Sequence, residues 1–240
     1  MVSRISGLSA GNTKFYRSIF LRPHERALLQ FLSYDVKDGT DIFICSVHRV
    51  VRVVNGKEQF PVFICFPKSI SIPGNSFLKK YEEPCQFCDS ENPLEQRTSL
   101  KFYFWTYVKD MWHKTQNPRL GTSSYARSWR KIDTKSGAFF VDEVNQPMIL
   151  EQGKDFFNTL YTTYMSSDHN IDSYLFTYAR EVGADEKTYY RAVLSPDVAA
   201  PLTEIERTTM KNALPDLASI VIPNISHSNR PLAEEKEDAK

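Results

Sequence analysis

One Cys-x-x-Cys knuckle, Cys85-Gln86-Phe87-Cys88, preceded at uneven intervals by Cys65 and His48, constrains this chain more than any other feature. Two thiols three positions apart lie on one side of a tight turn. That suits two corners of a tetrahedral metal site, and zinc accepts imidazole nitrogen together with thiolate sulfur. Between His48 and Cys65 runs Val50-Val51-Arg52-Val53-Val54-Asn55-Gly56-Lys57. Asn-Gly is the strongest two-residue hairpin signal, since both turn positions must tolerate positive φ. Such a hairpin folds the chain back so that His48 and Cys65 can meet, giving one ligand pair from a hairpin and one from the knuckle. Cys45, three residues before His48, is a rival fourth ligand, and Cys65 has the apolar neighbours of a buried core thiol. A thioredoxin-like redox pair is the weaker reading, because no βαβ pattern frames the knuckle.

The rest of the chain reads as an ordinary soluble protein. No apolar run reaches membrane-span length and no signal-peptide pattern opens the sequence, which predicts a cytoplasmic protein. Cysteines in that compartment point to a metal or free thiols rather than a disulfide framework. The net charge of +1 hides an asymmetry. Residues 1–140 carry 21 Lys and Arg against 12 Asp and Glu, whereas residues 141–240 carry 9 against 17. A polyanion-binding half and an acidic half would produce such a split, as would uneven charge on a well-mixed surface.

Taken in order, residues 1–18 read as a flexible basic arm with Arg4, Lys14 and Arg17. Short apolar runs at 26–32 and 42–47 read as strands, followed by the hairpin and then a Pro/Gly loop leading into the knuckle. Leu100 to Val108 is the clearest strand, dense in aromatic and β-branched residues. A Gly/Ser/Asn/Pro loop follows through Ser124, then a strand at 147–150 that Gly153 breaks. Phe156, Phe157, Leu160 and Tyr161 recur at helical spacing. Two strands, 173–180 and 188–194, flank a turn at Gly183-Ala184-Asp185, and Thr203 with Glu206 forms a capping box that starts a helix. These elements predict a mainly β (α+β) fold with a few helices. It is read as a β-barrel core over 19–222 carrying a zinc subdomain at about 45–95, with residues 223–240 as a disordered acidic tail.

The binding signal lies in residues 97–135, where Arg97, Lys101, Lys109, Lys114, Arg119, Arg127, Arg130, Lys131 and Lys135 oppose only Asp110 and Asp133. The same window holds all three tryptophans, Trp105, Trp112 and Trp129, with Phe102, Tyr103, Phe104, Tyr107 and Tyr125. Cations neutralise phosphates while flat rings stack on bases, the combination that holds single-stranded nucleic acid without reading sequence. In a strand, either Phe102/Phe104 or Tyr103/Trp105/Tyr107 should face the core. The second set is expected to face solvent or ligand, since Tyr and Trp keep a polar atom wet.

The order His, hairpin, Cys, loop, Pro-Cys-x-x-Cys and then an aromatic-basic strand resembles the zinc-containing single-stranded DNA-binding proteins of T-even-type tailed bacteriophages. The resemblance spans roughly residues 20–215 as a pattern of elements and implies an OB-fold barrel with an inserted zinc-ribbon subdomain. It implies one structural zinc ion on His48, Cys65, Cys85 and Cys88, and a DNA cleft that includes Phe104 and Trp105. The later strand pair with Tyr189 and Tyr190 falls in the family's order. The loop between Cys65 and Cys85 is longer than in that family, and the acidic run Glu234 to Asp238 is shorter than its tail. The chain carries no P-loop, G-x-G-x-x-G, G-x-S-x-G or His-Glu-x-x-His motif, so a non-catalytic protein is expected. Coating of single strands in replication and recombination, with the acidic tail recruiting partner proteins, is the leading expectation. A zinc-ribbon protein-interaction module for transcription or virion assembly is the alternative.

Overall fold

The computed structural model describes residues 16–32, 42–54, 56–59, 61–65, 85–114, 129–134, 137–164, 171–195 and 199–226. Its organising element is β6 (Thr98–His113), long enough to pair with three other strands. β1 (Arg26–Phe31) and β2 (Ile42–Arg49) lie end to end along one edge of β6, and β8 (Gly137–Gly153) runs along the other. β5 (Val62–Ile64) adds to β2, β7 (Trp129–Thr134) to β8, and β9 (Leu175–Val182) with β10 (Thr188–Leu194) beyond β1. The result is an eight-stranded antiparallel sheet that is not closed, in place of the barrel expected from sequence. A separate hairpin, β3 (Arg52–Val54) and β4 (Lys57–Gln59), turns at Gly56, whose φ of +71° is the left-handed conformation the Asn-Gly signal anticipates.

β6 changes face part-way along. Leu28 pairs with Asp110 but Leu29 pairs with Val108, so Lys109 is an extra residue, a β-bulge. Before it, Phe102, Phe104 and Val108 point to one face and Tyr103 and Trp105 to the other. Beyond it, Met111 joins the first set. Because strand alternation has period two, one inserted residue reverses which side chains share a face.

Both faces carry a core. On the first, Phe156 and Leu160 of α2 (Lys154–Thr163) pack on Phe104, Leu150, Phe176 and Tyr178. The Gln152 side chain, also buried, donates to the Tyr178 hydroxyl. On the second, Leu217, Ala218, Val221 and Ile222 of α4 (Leu217–Ser226) cover Phe43, Cys45, Val47, Tyr103 and Trp105. α3 (Glu204–Asn212) precedes α4 and begins at the anticipated capping box, with Thr203 and Glu206 bonded reciprocally. Its Arg207 pairs with Asp172. Buried Gln30 of β1 ties the segment before α3 to the sheet, accepting from Leu202 N–H at 2.7 Å and donating to the Asp172 carbonyl.

Two predicted boundaries move. α4 continues through Ser226, so the tail does not begin at 223, and residues 227–240 lie outside the described residues. At the other end Arg17 and Ile19 bond Ile149 of β8 through an isolated bridge at Ser18, so the end of the expected arm is tied to the sheet, while residues 1–15 lie outside the described residues. No helix among the described residues is long and apolar enough to cross a membrane.

Candidate metal centre

His48 is the next-to-last residue of β2 and Cys65 directly follows β5, its partner strand. Cys65 N–H donates to the Ser46 carbonyl at 2.8 Å, which extends that pairing and holds Cys65 beside His48. Two of the four candidate ligands therefore sit on the paired strands β2 and β5 of the main sheet. The knuckle closes with Cys88 N–H bonded to the Cys85 carbonyl at 2.9 Å. Phe87, between the two cysteines, packs with Phe63 and Val50 in a small core of its own, with ring centroids 4.6 Å apart for the Phe pair. The hairpin pair and the knuckle pair meet as the spacing suggests.

The ligand atoms of His48, Cys65, Cys85 and Cys88 all lie within 4.8 Å of one another. Cys65 Sγ is 3.5 Å from Cys88 Sγ, and His48 Nε2 is 3.3 Å from Cys85 Sγ and 3.6 Å from Cys88 Sγ. A tetrahedron with metal–sulfur bonds of about 2.3 Å and a metal–nitrogen bond of about 2.0 Å has edges of about 3.5–3.8 Å. The donor set, with its three shortest edges close to these values, could hold one metal ion with all four positions filled by protein.

The imidazole is held for that task. His48 Nδ1 lies 2.6 Å from the Glu95 carbonyl oxygen, which can only accept, so Nδ1 carries the proton and Nε2 turns its lone pair toward the sulfurs. Glu95 sits in α1 (Pro93–Gln96), capped by Asn92 Oδ1 on Leu94 N–H. Ser90, two residues past the knuckle, donates to the Glu95 carboxylate at 2.9 Å and accepts through its carbonyl from the Gln96 amide. Sequence reading missed this support. A backbone carbonyl leaves no side-chain signature, though Asn92-Pro93 with Glu95 is a legible helix start.

Cys45 is not a ligand. It alternates with His48 along β2 and points to the opposite face, where it is fully buried between Phe43 and Val47 against Tyr103. Burial, reinforced by the nearby Glu151 carboxylate, pushes its thiol up to about 12, the opposite of what a metal-binding thiolate needs.

No family model, curated protein or solved structure matches this chain.

The expected binding residues scatter. Tyr103 and Trp105 are 4% and 6% exposed and Phe104 is fully buried, so this trio is core on two faces and the solvent-facing expectation for Tyr103 and Trp105 is overturned. The cause is α4, whose Pro215 leader accepts from Trp105 Nε1 at 3.1 Å and gives the indole its polar partner inside the protein. Tyr107 is half-buried, its hydroxyl donating to Asn145 Oδ1. Lys101 pairs with Glu151 at 2.9 Å and Lys131 with Asp133 at 3.3 Å. Tyr190 stacks on Tyr178, while exposed Tyr189 donates to Asp185 Oδ2 at 2.7 Å. Lys109 is half-buried at the bulge, Arg130 is exposed, and Lys114 Nζ lies 4.0 Å over the Phe139 ring. Trp112 is half-buried beneath the Arg26 guanidinium. Arg119, Tyr125 and Arg127 lie outside the described residues, and Trp129 is described only as the first residue of β7.

Proposed function

We propose that this is a non-catalytic single-stranded DNA-binding protein that coats transient single strands in phage replication and recombination, with one zinc ion as a structural element. The observation that carries the reading is the basic outer part of β6 and β7. Arg130 is exposed and Lys114 half-buried on one face there, Lys131 is exposed on the other face beside Asp133, Lys109 is half-buried at the bulge, and the window 97–135 is strongly cationic in sequence. A polyanion is the partner such a surface favours. Three thiolates with one imidazole are the soft donor set that zinc takes in structural sites, and a filled tetrahedron leaves no position for a substrate. The β3–β4 hairpin lies in the chain between His48 and Cys65, the order that a zinc ribbon would have. Stacking falls to Trp112 and Tyr189 rather than to Tyr103 and Trp105. Recruitment of replication partners would belong to the acidic run at 234–238.

The test is a tryptophan-fluorescence titration with oligo-dT and with a duplex of equal length, at two salt concentrations. Binding preferring the single strand and weakening with salt is expected, with log K falling by about 0.7 per phosphate contact per decade of salt. Equal affinity for duplex, or none for either, would overturn the reading. A protein-docking module is the second reading, favoured by exposed Val51, Val53 and Leu94 on segments that bracket the metal ligands.

A further inference from the structure

Strand register places a line of side chains across the sheet on the face that α4 covers elsewhere. Arg130 of β7 pairs with Val141 of β8, Val141 with Trp112 of β6, and Trp112 with Arg26 of β1. Arg26 in turn pairs with Ala179 of β9, and Ala179 with Arg191 of β10. Directly paired residues point to the same face, so this row of six positions carries three guanidinium groups and one indole over about 24 Å at the usual strand spacing. Arg130 and Arg191, its two ends, are exposed.

The centre of the row is pre-organised. The Arg26 guanidinium lies 4.2 Å from the Trp112 ring centroid and 5.1 Å from that of Phe139, and is held there by cation–π contact. A guanidinium fixed in this way has already lost much of its rotamer freedom, and it offers donors for phosphate and a plane on which a base can stack. Among the described residues none of Arg26, Arg130 and Arg191 has a carboxylate within ion-pair distance. On this face Asp110 and Glu143 stand two residues along their strands from Trp112 and Val141 on one side of the row, and Lys114 and Glu181 stand two residues from Trp112 and Ala179 on the other, with Asp185 bonded to Tyr189 beyond Glu181. A polyanion laid along the row meets its three guanidinium groups, and displacement toward Asp110 and Glu143 brings it toward acids.

Resting on the single-strand reading above, we infer that this row, Arg130–Val141–Trp112–Arg26–Ala179–Arg191, is the track on which single-stranded nucleic acid lies, crossing the strands. Arg26 and Arg191 fall outside the basic-aromatic window of the sequence and reach it only through pairing. The end residues bind phosphate, and the Arg26–Trp112 pair takes a base.

The experiment compares the full-length wild type, the double variant R130E/R191E and the control K154E, which alters an exposed lysine on α2, the helix of the other face. Each is titrated with oligo-dT over a salt series, with thermal midpoints confirming that all three fold. The expected result is a loss of at least about tenfold in affinity and a salt slope shallower by about 1.4 for the double variant, the value for two lost phosphate contacts, with K154E close to wild type. Wild-type binding with an unaffected double variant would overturn the track while leaving the single-strand function standing. No wild-type binding to oligo-dT would overturn both. Displacement of DNA by polyglutamate at equal charge concentration would reassign the row to an acidic protein partner.

Discussion

The two halves of β6 have the same kind of sequence and opposite fates. Before the bulge, Tyr103 and Trp105 lie under α4, their polar atoms satisfied inside the protein. Beyond it, Trp112 faces the same side of the sheet but meets Arg26 and Phe139 instead of a helix. An aromatic-basic strand therefore does not by itself say which rings are available. That is decided by a segment about a hundred residues further along the chain. The half under α4 ends at the candidate metal centre, and the half beyond the bulge ends among arginines.

The largest expected effect lies at the covered end. Cys88→Ser, or chelation, should remove a metal held by the quartet and lower stability by about 5 kcal/mol or more, since metal binding free energy is folding free energy in such sites. Metal content by mass and the thermal midpoint measure it. Cys45→Ser should keep one equivalent of metal, and its loss in that variant would refute the ligand set.

Next comes the contrast between the two tryptophans. Trp105→Ala opens a cavity under α4 and should cost about 3–5 kcal/mol in denaturant unfolding. Trp112→Ala removes a half-buried ring and a cation–π contact and should cost about 1–2 kcal/mol. Equal costs would mean that the two halves are covered alike.

The sequence carried the local signals of this comparison and missed the distant one. The hairpin at Gly56, the break at Gly153 and the Thr203 capping box were legible because each rests on residues a few positions apart, and the ligand quartet, though spread from His48 to Cys88, was legible because its residue types have few alternative chemistries, with only Cys45 as a rival. α4 was not legible. Its Leu-Ala-Ser-Ile-Val-Ile-Pro-Asn-Ile-Ser is apolar without helical periodicity, contains a proline, and abuts a polar tail that masks its end. Missing α4 turned Tyr103 and Trp105 into ligand residues. The bulge at Lys109 was equally hidden, and without it the row through Trp112 cannot be assigned to a face. Arg26 and Arg191 join that row only through pairings far apart in sequence.

A pH experiment probes the half of β6 beyond the bulge. Glu25 is 2% exposed and lies 3.3 Å from His113 Nδ1, with Arg22 N–H bonded to the same carboxylate oxygen at 2.8 Å. Burial alone would raise its carboxyl, but the hydrogen bonds from His113 and Arg22, with the charge of His113, outweigh it and hold the group below its ordinary 4.5. A carboxyl lowered on folding contributes stability that is fully present above its unfolded value and is lost as pH falls through the folded one. The wild-type midpoint should therefore fall more steeply between about pH 5 and pH 3 than that of Glu25→Gln, which should be less stable by roughly 1–3 kcal/mol at neutral pH. Parallel curves would mean that the Glu25 carboxylate contributes no pH-dependent stability.

The smallest effect tests whether the cover acts as a unit. Thr203 accepts from Glu206 N–H and receives the Glu206 carboxylate on its own backbone N–H at 2.8 Å, which closes the first turn of α3. Thr203→Ala should cost about 1 kcal/mol, the usual value of a lost N-cap. If α3 and α4 form one cooperative cover, hydrogen exchange should quicken in both helices and in the covered part of β2, while amides of β7 and β9 keep wild-type rates. Faster exchange confined to the first turn of α3 would show α4 holding its face alone. Faster exchange throughout the sheet would mean that the covered and open halves unfold together, and that the division at the bulge is one of exposure and not of stability.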